Sequence, residues 1–295
     1  MTTKIKWPGC ICCRCSFSLI LFMVYPLIDV FIYSLEEGYN FASQTYYGRR
    51  FLQLFLRPAR SLFPAGCKEH FLLVIITVPV STGLALLVSV GLSSIKPLRE
   101  LYQTIYFLPY VTNTLAVGLV FMVLFQKTEY TDGLINLLIE AVGGTAVDFI
   151  DGPYWAKMFV LCFYTVWVVL PFKILVLTSA LASVNPDYYK AARVDGTSKL
   201  RTFTKITLPM IKDTLLMTIL LRTIWTLNVV DIIYSMTNGG PNFSTLTIPV
   251  YIMLTFNDYL DCGYASAMAV IMILVLLVFS LLYLKIGKYG EEEYY

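Results

Sequence analysis

Six apolar stretches, at about residues 16–35, 71–92, 101–125, 158–182, 210–236 and 265–286, alternate with polar segments along the chain. A helix needs about 20 mostly apolar residues to cross the hydrocarbon core of a bilayer, so the pattern predicts six membrane-spanning helices. Pro26, Pro79, Pro109 and Pro171 fall inside these stretches. In water they would break a helix; in a membrane bundle, neighbouring helices and local adjustments satisfy the freed carbonyls, so they mark expected kinks. The predicted fold class is an all-α membrane protein. One six-helix domain is expected at 16–286, with a cytoplasmic segment 1–15 before it and an acidic tail 287–295 after it.

The polar interruption at 185–209 carries its own helix signals. Asn185 suits an N-cap, Pro186 a first turn, and Asp187 places negative charge where unpaired N–H groups and the helix dipole favour it. Gly196 is a stop. At about 100° per residue, Tyr188, Ala191, Ala192 and Asp195 share one face and Tyr189, Lys190 and Arg193 the other. The first face is small enough for close docking. Leu200, Phe203 and Ile206 then recur at three-residue spacing, and Pro209 opens the fifth apolar run.

Charge adds orientation. Lys4, Lys6, Arg14, Lys96, Arg99, Lys190, Arg193, Lys199, Arg201, Lys205, Lys285 and Lys288 fall on one side of the expected spans, 12 in all, against 7 on the other. Cytoplasmic connections carry the excess of Lys and Arg, so both termini and the 185–209 segment are expected inside. The outer connection 126–157, with Gly143-Gly144 and Gly152-Pro153 turn signals, reads as an exposed excursion able to touch an external partner.

Composition and motifs exclude several chemistries. Hydrophobic residues make up 58% of the chain and charged residues 14%, outside the range of an ordinary soluble domain. The net charge of +3 is not gathered into a basic tract, so nucleic acid is not an expected partner. No G-x-x-x-x-G-K-[ST] loop occurs; Gly287-Lys288 is followed by Tyr289. His70 is the single histidine, and the N-terminal Cys10, Cys12, Cys13 and Cys15 lack paired C-x-x-C spacing, so no metal site is expected. At the start of a helix, His70 is placed at the lipid–water interface.

Ionisable residues inside spans are costly and are functional candidates. Lys173 lies in the fourth apolar stretch and Arg222 and Asp231 in the fifth, with Trp225, Thr226, Asn228 and Tyr234 beside Asp231. Aromatic rings stack on the C–H faces of a pyranose while Asn, Asp and Thr pair with its hydroxyls, so this set suits a sugar pathway. It also suits an interfacial aromatic belt with Asn228 bonded to a neighbouring helix. The residues alone leave both open, and leave Lys173 and Arg222 divided between functional and structural roles.

Two motifs carry a family resemblance. The spacing Ala191-Ala192, three residues, Gly196, nine residues, Ile206, one residue, Leu208-Pro209 resembles the "EAA" signature of the membrane subunits of binding-protein-dependent ABC importers, with Lys190 where the family's usual Glu stands. Thr237-Asn238-Gly239-Gly240-Pro241 and Gly263-Tyr264-Ala265-Ser266-Ala267 resemble the T-x-G-G-P loop and G-Y-A-S-A segment of the carbohydrate branch, which includes maltose permease. Phe107-Leu108-Pro109 and Trp167 through Phe172 also fit that branch.

The resemblance implies a type I importer permease in a bacterial or archaeal inner membrane, paired with a second permease subunit, two ATPase subunits that hold ATP and Mg, and an external solute-binding protein. This chain itself would hold no cofactor and catalyse no reaction. The resemblance implies coupling to the ATPase through Tyr188, Lys190, Ala191, Ala192, Asp195 and Gly196, a sugar path at Phe172, Trp225, Thr226, Asn228, Val229 and Asp231, and an outer loop at Gly239, Gly240 and Pro241. Rival readings are an ion-coupled secondary transporter using Lys173, Arg222 or Asp231, a permease for a non-sugar solute, and a membrane anchor that recruits a cytosolic protein.

Overall fold

The computed structural model describes residues 18–37, 45–46, 63–94, 99–240 and 243–287. The N-terminal cysteine cluster, Pro241 and the acidic tail beyond Gly287 lie outside the described residues. Helices follow one another as α1 (Ile20–Tyr33, opening in a π turn), α2 (Phe63–Ser94), α3 (Arg99–Val111), α4 (Thr114–Phe125), α5 (Leu134–Ala141) and α6 (Tyr154–Ser183). Then come α7 (Pro186–Val194), α8 (Lys199–Thr202), a π turn at Phe203–Thr207, α9 (Leu208–Met210), α10 (Lys212–Leu227), α11 (Asp231–Met236), α12 (Ile248–Asn257) and α13 (Cys262–Gly287). A two-residue ribbon, β1 (Glu36–Glu37) with β2 (Thr45–Tyr46), follows α1.

The chain divides into two compact units. The first comprises Met1–Pro64 and Tyr251–Val275. Within it Gly263 lies against the Glu36 carbonyl so closely that any side chain there would overlap it, and Tyr251 meets Tyr264 edge-on at 6.2 Å. The second comprises Ala65–Val250 and Leu276–Tyr295. Within it α2 packs against α6. Thr77, Ser81, Ala85 and Ser89 recur every fourth residue on α2 and are wholly buried, the small-residue seam that lets helices approach closely in a membrane. Ser89 Oγ donates to the Ile174 carbonyl at 3.2 Å, and Ala85 and Leu92 pack on Ile174 and Leu177.

Among the described residues, three helices are long and apolar enough to cross a bilayer, namely α2, α6 and α13; a fourth crossing arises if Thr104–Val111 and Thr114–Phe125 together count as one bent span. The third and fifth of the six expected stretches are broken helices rather than continuous ones. The third apolar stretch turns through 98° between α3 and α4. There Asn113 adopts an extended backbone and its side chain accepts from the N–H groups of Leu115 and Ala116, starting a new helix rather than prolonging the old one.

The fifth stretch breaks between α10 and α11. Asn228 donates its side-chain amide to the Ile224 carbonyl at 2.9 Å, while its own N–H turns to Trp225 O at 3.1 Å. A side chain that takes over an i−4 carbonyl competes with the helix ladder. Hydropathy averaged over a span does not register either event, because the helices on both sides of each break are largely apolar.

Candidate functional site

The break between α10 and α11 opens a cavity of about 340 Å³, lined among others by Tyr164, Thr165, Arg222, Trp225, Asn228, Val229 and Asp231. The volume sits at the lower end of ligand cavities, about 300–1,000 Å³. Four of the expected path residues, Trp225, Asn228, Val229 and Asp231, thus meet in one place. Phe172 stands beside them, its ring centroid 5.2 Å from that of Trp225. Tyr110 stacks on Phe172 at 5.6 Å and Phe107 lies 5.3 Å from Tyr110, extending an aromatic ladder from α10 through α6 to α3. Tyr110, Tyr164 and Thr165 were not singled out from the sequence. Nothing in their spacing marks them, since α3 and α6 bring them in only by packing.

Thr226 takes a different place. It is wholly buried, its hydroxyl donates to the Arg222 carbonyl at 2.9 Å, and its own carbonyl lies 3.1 Å from His70 Nε2. His70, which the sequence placed at the lipid–water interface, is instead enclosed by protein. It sits two turns inside α2, 1% exposed, holding the end of α10 at the break.

Both intramembrane cations are engaged. Lys173 Nζ donates to Ser81 Oγ at 3.0 Å and Thr82 Oγ1 at 2.6 Å, and both hydroxyls donate onward to the Val78 carbonyl. Arg222 Nη2 donates to the Thr165 carbonyl at 2.7 Å, whereas Arg222 Nε and Thr165 Oγ1 are buried without a partner.

The loop after α11 is held by its threonines. Thr237 and Thr245 hydroxyls lie 2.8 Å apart, Thr245 Oγ1 donates to the Gly240 carbonyl, and Gly240 N donates to Thr237 O at 2.7 Å. Gly239 has φ +79°, which favours glycine, and the Leu246 side chain closes over it.

The 185–209 segment folds as its local signals predict. Asn185 Oδ1 accepts from Asp187 N at 2.9 Å, and Lys190 pairs with Asp187 at 2.7 Å on the exposed side. At the far end Thr197 N donates to Ala192 O and Gly196 N to Arg193 O, a Schellman closure with Gly196 at φ +66°. The faces differ from the expected ones in one respect. Ala192 is buried and parts from Ala191, because Tyr189 packs on Leu181, Val184 and Ile211 and receives a bond from Thr207 Oγ1, drawing its own side of α7 inward. Tyr188, Lys190, Ala191, Val194 and Asp195 remain exposed.

Residues 71–288 match the family described as binding-protein-dependent transport system inner membrane component. The chain is 33% identical over 219 residues to a sulfoquinovosyl glycerol transport system permease of Agrobacterium fabrum, covering 73% of this chain and 68% of that one. To a trehalose/maltose transport system permease of Thermococcus litoralis it is 29% identical over 283 residues, covering 93% and 91%. Its fold is similar to that of a bacterial ABC transporter involved in the import of the acidic polysaccharide alginate, with TM-score 0.82, 20% identity and 96% of each chain covered. Because the family match spans most of the chain, from within α2 to the end of α13, this protein belongs to the inner membrane components of binding-protein-dependent transport systems.

Proposed function

We propose that this chain forms half of the translocation path of an ATP-driven sugar importer in a bacterial or archaeal inner membrane, with both termini in the cytoplasm. The observation that carries the reading is the cavity where α10 breaks. It combines an aromatic ring at Trp225, a carboxylate at Asp231 and amide and hydroxyl groups at Asn228 and Tyr164, a set suited to the C–H faces and hydroxyls of a sugar. The relatives are named as transporting sulfoquinovosyl glycerol and trehalose or maltose, which supports the same class.

The chain contributes position rather than chemical energy. Two ATPase subunits hold ATP and Mg, a second permease subunit closes the path, and an external binding protein delivers the solute. The face of α7 left exposed by Tyr188, Ala191 and Asp195 docks on an ATPase, so closure of the ATPase pair moves α7 and shifts the spans between inward-open and outward-open states. A sugar that binds both states equally shifts neither, so weak binding at the cavity suffices.

The test is affinity purification of the chain from its native membrane in mild detergent, with the co-purifying proteins identified and ATP hydrolysis measured. Recovery of a P-loop ATPase and a second permease supports the importer. A chain recovered alone, under conditions that keep known complexes intact, would overturn it in favour of ion-coupled transport.

A further inference from the structure

Arg222 and Lys173 are two cations buried in the membrane-spanning part of the second unit, 3% and 1% exposed, and neither pairs with a carboxylate among the described residues. Lys173 is satisfied by two hydroxyls. Arg222 is not fully satisfied. Its Nη2 reaches the Thr165 carbonyl, but its Nε has no partner, and the hydroxyl of that same Thr165, itself 4% exposed, has none either. Both residues line the cavity at the break in α10. A buried charged donor left unpaired is costly, whereas the same donor facing an anionic oxygen forms a short, charge-assisted bond.

We propose that the cavity selects saccharides bearing an anionic group, a carboxylate or sulfonate, whose oxygens accept from the Arg222 guanidinium beside Thr165. The inference rests on the reading of this cavity as a sugar path and names the class of sugar. A guanidinium only donates, and its charge is constant at any physiological pH. A neutral hydroxyl accepting from Nε would leave the buried charge uncompensated; an acidic group compensates it. Asp231, on the first turn of α11, lines the same cavity without pairing to Arg222 and accepts only, so it takes hydroxyl protons from the neutral part of the ring. The Trp225 ring, which lines the same cavity, suits the C–H groups.

The experiment uses the complete membrane complex in lipid nanodiscs, without binding protein, and reads binding of D-glucuronate and D-glucose at equal ionic strength by saturation-transfer NMR. Glucuronate should bind about tenfold more tightly than glucose, the scale of a charge-assisted bond over a neutral one. Arg222→Gln and Thr165→Val should each bring the ratio of the two affinities towards unity. Because the readout is a ratio within one sample, partial misfolding does not imitate the effect. Inorganic sulfate should displace glucuronate only weakly.

Equal binding of the two sugars, or an unchanged ratio in Arg222→Gln, would remove the anionic selectivity and leave the sugar path standing. Sulfate displacing glucuronate with equal affinity would reassign the site to an inorganic anion. Binding of neither sugar, in a complex that still hydrolyses ATP, would overturn both the selectivity and the sugar path.

Discussion

Lys173 shows how a charge is accommodated in this membrane domain. Ser81 and Thr82 each spend their proton on the Val78 carbonyl and offer lone pairs to the ammonium, so the cation sits among acceptors without a counter-charge. Replacing a buried ionic group by an apolar one of similar shape is often neutral, whereas removing its partners leaves an uncompensated charge at a cost of about 3–5 kcal/mol. Lys173→Met should therefore leave stability within about 1 kcal/mol, and the Ser81→Ala, Thr82→Val pair should lose several times as much. Thermal unfolding in detergent compares the two. Loss of stability in Lys173→Met equal to that of the double variant would contradict this account.

Gly196 poses the opposite case, a constraint of backbone alone. A side chain there would meet nothing within 4 Å, yet φ is +66°. Gly196→Ala should cost about 1–2 kcal/mol through the left-handed conformation, and Gly196→Asn visibly less. If both variants are as stable as the parent but ATP hydrolysis no longer drives uptake, the residue acts through docking rather than through the end of α7.

At the scale of elements, α4 and α11 approach closely at Gly118. A Cβ there would press on the Ser235 hydroxyl and lie 3.1 Å from Ile232 Cδ1, both side chains of α11. Ile232 and Asp231 line the cavity, so this contact fixes one of its walls. Gly118→Leu should overpack the interface by about 1–3 kcal/mol and displace α11, weakening whatever the cavity binds. Gly118→Ala asks only for rotation of Ser235 and a small shift of Ile232, and should keep most binding. Melting temperature and ligand binding, measured together, separate loss of fold from loss of the wall.

These elements also show what the sequence could and could not disclose. The cap at Asn185 and the stop at Gly196 depend on residues within one turn of each other, so α7 was legible almost to its ends. The inward turn of Ala192 was not, because it depends on Leu181, Val184 and Ile211 meeting Tyr189. Hydropathy located the apolar stretches but not the breaks at Asn113 and Asn228, where a single side chain outcompetes the ladder. Of the cavity lining, Trp225, Asn228, Val229 and Asp231 stood out in the sequence because one short segment carries them; Tyr164 and Thr165 come from α6, more than fifty residues away in sequence, and arrive only through packing against α10.

For the whole molecule the open quantity is orientation. The count of 12 Lys and Arg against 7 predicts α7 inside and the 126–157 excursion outside. The excursion folds as a small lobe, in which Asn136 bonds the carbonyls of Gln126 and Val147 and accepts from Val147 N, while Lys127 bonds the Ala146 carbonyl. Val142, just after α5 in this lobe, is 90% exposed and Val194, at the end of α7, is 87% exposed, so a thiol at either position is open to reagent. In a variant with the seven native cysteines replaced, Val142→Cys should react with a membrane-impermeant maleimide in intact cells whose outer barrier has been made permeable. Val194→Cys should react only after the inner membrane is opened. On the proposed coupling, in which α7 docks on an ATPase and the lobe is expected on the opposite side of the membrane, binding of the ATPases should then shield Val194→Cys and leave Val142→Cys open. The reverse pattern of labelling would place α7 outside the cell, beyond reach of any cytoplasmic ATPase, and coupling through that helix would have to be abandoned.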